Sequence, residues 1–271
     1  MKKVIKKIVK LGVISLFIFI IISTTGFVNY ASAESTLQDV LKRGTLRLGW
    51  AVWWPYVYRD SKTNQLTGIS VDLAEEMAKA LNVKLEWVED SWGTFAAGLQ
   101  AHKFDVWNLV AITLPRATAS GFTEPLTVHG LSIIVKKAEE PSLKSWKDLD
   151  KKGKKISVTL GSNTDMYLTR AIKEAEIVRL KTPPEGFTAM KTGRTNGYAS
   201  TIDSLKILAK DNPDTYILPG EFGRSPVSFA VRQDDQVWIN WLNLFVKEVK
   251  STGTITNLLK KYGLDASFAA D

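Results

Sequence analysis

Residues 68–88, GISVDLAEEMAKALNVKLEWV, hold a change of period from helix to strand. Leu73, Ala74, Met77, Ala78 and Leu81 recur at helical spacing and form one apolar face. Ser70 or Asp72 is placed to cap the start, and Glu75 precedes Lys79 by four residues. From Val83 the period shortens to two: Val83, Leu85 and Trp87 alternate with Lys84 and Glu86, the pattern of a half-buried strand. Upstream, residues 36–43 read as a short helix stopped by Gly44. Leu46-Arg47-Leu48 reads as a strand ended by Gly49. Strand, helix, strand is the unit of a parallel sheet covered by helices, so the fold class is α/β.

The unit recurs further along. Residues 156–160 read as a buried strand, 161–164 as a turn rich in capping residues, and 165–175 as a helix. Strands at 177–180, 197–200 and 216–218 alternate with helices starting at Pro183 and spanning 203–210. In the last third, 228–232 is a strand. Residues 237–249 form a helix with Trp238, Trp241, Leu242, Phe245 and Val249 as a core stripe. Between the two modules lies the polar, lysine-rich stretch 136–155. Two βα modules in one chain, with no GxGxxG, P-loop or metal motif, predict two lobes with a cleft between them. Ligands of such sheets lie beyond the carboxyl ends of the strands, near helix N-termini.

The start of the chain reads as a leader. Lys2, Lys3, Lys6, Lys7 and Lys10 precede an apolar run over 11–28, followed by Ala31-Ser32-Ala33. That pattern predicts export with cleavage after Ala33 rather than a retained anchor. The whole chain carries 36 Lys+Arg and 28 Asp+Glu, so losing five lysines leaves the mature part at about +3. No basic cluster with interleaved aromatics remains, which argues against nucleic acid. Cysteine is absent, which excludes disulfides and a cysteine-linked lipid. With only His102 and His129, a zinc site or a Ser/His hydrolase is poorly supplied, and no cofactor or metal is expected.

The predicted strand ends carry the candidate site. Trp50, Trp53, Trp54, Tyr56 and Tyr58 crowd one segment. Any one of them is plausibly core, but five in one loop leave some for the cleft, where a ring stacks on a planar ligand or faces a cation. Trp92 is a second wall. Arg116 follows Thr113-Leu114-Pro115 directly after the strand 105–112. There its planar fork matches a carboxylate, with the Thr113 hydroxyl as an added donor. Gly161-Ser162-Asn163-Thr164 opens a helix, where the same residues serve as N-cap, as anion site, or as both.

These residues, taken in order, resemble the polar amino-acid-binding, type II periplasmic binding proteins of ABC importers (extracellular family 3). The likeness runs from Leu41-Lys42-Arg43-Gly44-Thr45-Leu46-Arg47-Leu48-Gly49 through Pro55-Tyr56, 68–73 and 99–105. It continues through Thr113-Leu114-Pro115-Arg116, Phe122-Thr123-Glu124-Pro125-Leu126 and Gly193-Arg194-Thr195-Asn196-Gly197 to Lys261-Tyr262-Gly263. It implies a two-lobe type II fold, with two doubly wound lobes joined by two crossing segments. Lobe 1 would be 34–132 plus 226–271 and lobe 2 133–225. The ligand would be a small carboxylate or zwitterion and the partner an inner-membrane ABC permease, with the protein a periplasmic monomer. By resemblance Arg116 holds the ligand carboxylate, Trp53 and Trp92 sandwich the ligand, Thr113, Ser162 and Asn163 donate hydrogen bonds, and Asn108 is a polar strand-end contact.

Two positions depart from the family pattern. Where an aspartate usually holds the ligand ammonium stands Thr201, with Asp203 two residues on. Either Asp203 serves in a shifted register or the ligand lacks a primary amine, as a betaine-like zwitterion does. Pro115 replaces the usual glutamate. The rival reading is a cyclohexadienyl (prephenate or arogenate) dehydratase-like lyase on the same scaffold. Its general acid would fall at Asp165, working with Arg116.

Overall fold

The computed structural model describes residues 35–270. The leader and its cleavage point after Ala33 lie outside the described residues. Ser35 caps α1 (Thr36–Arg43) in a reciprocal box with Gln38, and Gly44 closes it at φ 69°. β1 (Thr45–Trp50) continues through Gly49, where the sequence reading ends it. A Cβ there would lie 2.7 Å from the Phe104 ring, so this glycine admits a packed ring and does not stop the strand. β2 (Tyr58–Arg59) and β3 (Leu66–Thr67) form a small separate hairpin. α2 (Ile69–Leu81) begins at Gly68 without a side-chain cap, against the expectation for Ser70 or Asp72. A Cβ at Gly68 would meet the Tyr56 carbonyl oxygen at 2.3 Å, and Asp72 instead binds Lys261 at 2.7 Å.

β4 (Lys84–Glu89), α3 (Phe95–Gln100), β5 (Val106–Ala111), α4 (Leu114–Ala117), β6 (Gly121–Phe122) and β7 (Thr127–Lys136) follow. After two 3-10 turns come β8 (Lys155–Thr159), α5 (Asn163–Ala171), β9 (Glu176–Leu180), α6 (Pro183–Lys191), β10 (Gly197–Thr201), α7 (Ile202–Asp211) and β11 (Thr215–Ile217). β12 (Phe222–Val231), α8 (Gln236–Ser251), α9 (Thr254–Lys261) and a 3-10 turn (Ala266–Phe268) follow. The α5 helix stops at Ala171, short of the expected 175. The Asp150 carboxylate takes the N–H groups of Lys173, Glu174 and Ala175 at 2.8–3.0 Å, which ends helical bonding there.

The main path of the sheet runs β4-β1-β5-β12-β7-β10-β8-β9. β4, β1 and β5 are parallel, as are β9, β8 and β10. β7 and β12 run antiparallel to their neighbours and to each other, and join the two halves. Each half has apolar clusters of its own. Leu46, Leu73, Phe229 and Leu242 pack in one cluster of the first half, and Phe104, Trp107 and Val110 in another. In the second, Leu131, Val158 and Leu168 pack apart from Ile134, Met190 and Tyr198. This is the two-lobe, doubly wound architecture. Of the predicted stripe on α8, Trp238, Leu242, Phe245 and Val249 are buried, each contributing about 1.5–3 kcal/mol, and Trp241 is half-buried against them.

The strand β7 has no counterpart in the sequence reading, and β12 only its final part. His129, Gly130 and Ser132 interrupt the apolar pattern of β7. They are nevertheless buried or paired: Ser132 donates to the Leu218 carbonyl at 3.0 Å, and His129 lies 2.7 Å from the Thr127 hydroxyl. Among the described residues no helix is long and apolar enough to cross a membrane.

Candidate functional site

The carboxyl ends of β5 in one lobe and of β8 and β10 in the other converge on a cavity of about 60 Å³, room for roughly four waters. Val52, Trp53, Trp92, Ala111 and Arg116 line it from the first lobe. Thr159, Ser162, Asn163, Thr164, Ser200 and Thr201 are among the residues facing them, with His129 and Ser225 contributed by the crossing strands.

Arg116 is placed by local structure. The Thr113 hydroxyl caps the short helix α4, accepting from the Arg116 N–H, and Pro115 pre-sets the turn. Arg116 is 7% exposed, and its guanidinium spans the lobes, donating to the Ala111 carbonyl at 2.9 Å and to the Gly161 carbonyl at 3.0 Å. It also lies 5.4 Å over the Phe95 ring. No ion pair joins it to a carboxylate among the described residues. Burial pulls its ionisation down to about 10, so it stays charged at neutral pH. Because the folded-state value is the lower one, the charge opposes folding at every pH below about 10, at a cost on the order of 3 kcal/mol. A bound anion offsets that cost.

The N-terminus of α5 faces the same space. Ser162 is its N-cap, accepting from the Asp165 N–H at 3.1 Å, and Asn163 donates to the Ser225 hydroxyl at 3.1 Å. Gly161, at φ 73°, brings this turn against the first lobe: a Cβ would lie 2.6 Å from the Gly93 Cα. Backbone touching backbone at this point requires glycine.

The aromatic wall differs from the expected sandwich. Trp53 and Trp92 meet edge to face at 80°, with centroids 6.0 Å apart, and do not stand as parallel plates. A tight turn returns the chain from Trp53 to Val57 and stacks Tyr56 on Trp53 at 4.2 Å. The Trp53 indole N–H donates to the Thr201 hydroxyl at 3.1 Å, and Ser204 donates to the Trp54 carbonyl. Thr201 therefore joins the lobes through a hydroxyl where the family pattern would put a charge.

Four residues singled out from the sequence do not line the cavity. Trp50 shares the parity of Leu46 and Leu48 along β1, so it points into the core, with Arg59 over its ring at 5.4 Å. Asn108 lies within β5 and not at its end, with both amide atoms buried and unpartnered. Thr113 is spent as a cap. Asp203 lies behind the wall, its carboxylate 3.2 Å from His129 Nδ1. The lyase candidate Asp165 is also absent from the lining. It accepts from the Gly161 N–H at 3.0 Å and from Arg179 at 2.8 Å, a helix-start role. The sequence reading missed His129, Thr159, Ser200 and Ser225. Ser200 adjoins a named position, but His129 carries no local signal. No cluster suited to a metal occurs among the described residues.

Known proteins share this architecture. Residues 46–265 match the family described as bacterial extracellular solute-binding proteins, family 3. The L-cystine-binding protein TcyJ of Escherichia coli (strain K12) is 30% identical over 86% of this chain and 88% of its own. The ancestral amino acid-binding protein AncCDT-1, a precursor of cyclohexadienyl dehydratase, superposes with TM-score 0.80 at 33% identity, over 84% of this chain and 99% of its own. An ancestral arginine-binding protein bound to arginine gives TM-score 0.75 at 31% identity, over 82% and 99%.

Proposed function

The chain belongs to the bacterial extracellular solute-binding proteins of family 3, and we propose that it captures an amino-acid-like carboxylate between its lobes and delivers it to an ABC permease. One observation carries this reading: a buried arginine at the lobe junction, with no carboxylate partner among the described residues. Two of its five donors reach main-chain carbonyls, and the fork lines the cavity beside the start of α5. The ligand carboxylate takes the place of the missing partner, with Ser162, Asn163 and Thr164 supplying further donors. Relatives named for cystine and arginine support an α-amino acid as ligand.

In this reading Trp53 and Trp92 form a corner around the ligand, and the cationic end points toward Thr201, Ser200 and His129. No Asp or Glu among the described residues lines the cavity, so an N-alkylated, betaine-like zwitterion is the second candidate ligand. The lobes are 34–132 with 226–271, and 133–225, and the leader is removed after Ala33 on export. The lyase reading is weaker, because Asp165 is held by Arg179 and the Gly161 N–H and does not face the cavity.

A thermal-shift screen of the twenty amino acids, glycine betaine and aromatic acids tests the proposal. A ligand at a hundred times its Kd stabilises the fold by about 2.7 kcal/mol, which is roughly 5–10 °C for a chain of this size. At least one zwitterion should give that shift in the wild type and none in Arg116→Met. No shift with any zwitterion overturns the reading.

A further inference from the structure

His129 lines the cavity on the side proposed to face the ligand's cationic end. Its ring packs edge-on against Trp53 and Tyr56, at 5.1 Å from each, and stacks on Phe268 at 5.6 Å. Nε2 lies 2.7 Å from the Thr127 hydroxyl, and Nδ1 lies 3.2 Å from Asp203 Oδ1. The two side chains are 2% and 0% exposed. Neither oxygen of Asp203 has a hydrogen-bond donor among the described residues. A carboxylate buried in that way is stable only if another group balances its charge.

Two groups can do so. One is a proton on His129. The other is the cationic end of a zwitterion whose carboxylate rests on Arg116, an assignment that depends on the function proposed above. We propose that these two compete for the single negative charge of Asp203, so that capture of a zwitterion expels one proton from His129 to the solvent. With the proton gone, the His129–Asp203 pair carries a net negative charge directly behind the wall that the ligand's cation faces. The pair then supplies the countercharge that Thr201 cannot.

The other charged groups around the ring do not substitute for it. Tyr56, from the turn after β1, is fully buried, and burial together with Asp203 holds its phenol well above the usual range, so it keeps its proton. Lys206 of α7 lies 5.5 Å from the centroid of the Phe268 ring, and Arg224 is a neighbour of Ser225, the register partner of His129; both are exposed. Asp265, at the start of the Phe268 turn, is exposed as well. Arg116 sits in the same cavity but is needed for the carboxylate. Because capture releases a proton, affinity for a zwitterion should rise with pH wherever the ligand-free His129 carries that proton.

The chain has only two histidines, and His102 is exposed, so each ring can be followed by side-chain ¹H–¹⁵N NMR of the full mature protein. Asp203→Asn removes the carboxylate 3.2 Å from Nδ1 and should move the His129 midpoint down, with the His102 signal as the internal control. An unmoved His129 midpoint overturns the proposal, whether or not any ligand has been found. Calorimetry with the best zwitterion from the screen, in phosphate and in Tris at one pH, should show proton release by the wild type and none by His129→Asn. A carboxylate of the same carbon skeleton without the amine should bind with no release. A zwitterion that binds with the same enthalpy in both buffers from about pH 5.5 to 8 overturns the proton exchange but leaves the Arg116 reading intact. If no zwitterion binds, the Arg116 reading fails and the NMR result alone decides the His129–Asp203 pair.

Discussion

Asp105 and Asp203 are almost equally hidden, at 2% and 0% exposure, yet their surroundings are opposite. Asp105, just before β5, accepts from Arg43 at 2.5 Å, from the Arg47 guanidinium at 2.9 Å and from the Arg47 main-chain N–H at 2.8 Å. Hydrogen bonding to Asp105 in turn raises the Arg47 ionisation. Asp203 has one imidazole at ion-pair distance and no donor. The arginines divide in the same way, since Arg47 is held by a carboxylate and Arg116 by two main-chain carbonyls alone. Buried charge that serves the fold is satisfied inside the fold. Buried charge left short at a cavity is reserved for something that arrives.

Substitutions on either side of this contrast should separate affinity from stability. Arg116→Met has the largest expected effect: zwitterion affinity falls at least about a hundredfold, because the bidentate partner is gone. The melting temperature of the ligand-free protein should hold within about 2 °C or rise, since an uncompensated buried charge has been removed. A large fall in melting temperature would place Arg116 with Arg47 as a structural cation. Asp105→Asn should do the reverse. It leaves two guanidinium groups without their carboxylate and lowers stability by about 2–3 kcal/mol, or roughly 5–10 °C, and calorimetry should find ligand affinity unchanged. Gly161→Ala should have the smallest effect on affinity, about a tenfold loss, with the melting temperature lowered by a few degrees because alanine is strained at φ 73°. Its methyl strikes Gly93 only when the lobes are closed, and its carbonyl is one of the two holding Arg116. Equal affinity would mean that the close approach at Gly93 is not needed for capture.

Much of the fold was legible because periodicity is local. The change of period near Val83, the α8 stripe and most βα units follow from spacings within about a dozen residues. β7 was not legible, because what permits His129, Gly130 and Ser132 inside a strand lies far away, at Leu218, Asp203 and β12. The site divides along the same line. Arg116, Ser162, Asn163 and Thr164 sit where a predicted strand stops, and all of them line the cavity. Trp50 was legible in the other direction: sharing the parity of Leu46 and Leu48 already sends it to the core. His129 meets Asp203 only once β7 and α7 have packed together, so spacing along the chain contained no hint of the pair.

The two strands that join the lobes are bonded to each other, Val128 facing Pro226 and Gly130 facing Arg224. The Pro226 carbonyl accepts from the Ile112 N–H at 2.8 Å, so proline's missing N–H falls on the side of β12 that faces β5 and takes no donor from the pairing of the two crossing strands. A two-stranded ribbon bends more readily than it shears, so in the function proposed above opening of the lobes would be chiefly a change of one angle. Arg116 and His129 must then be uncovered and covered together. In that proposed function, a permease gripping both lobes would read the occupancy of the cavity as that one angle.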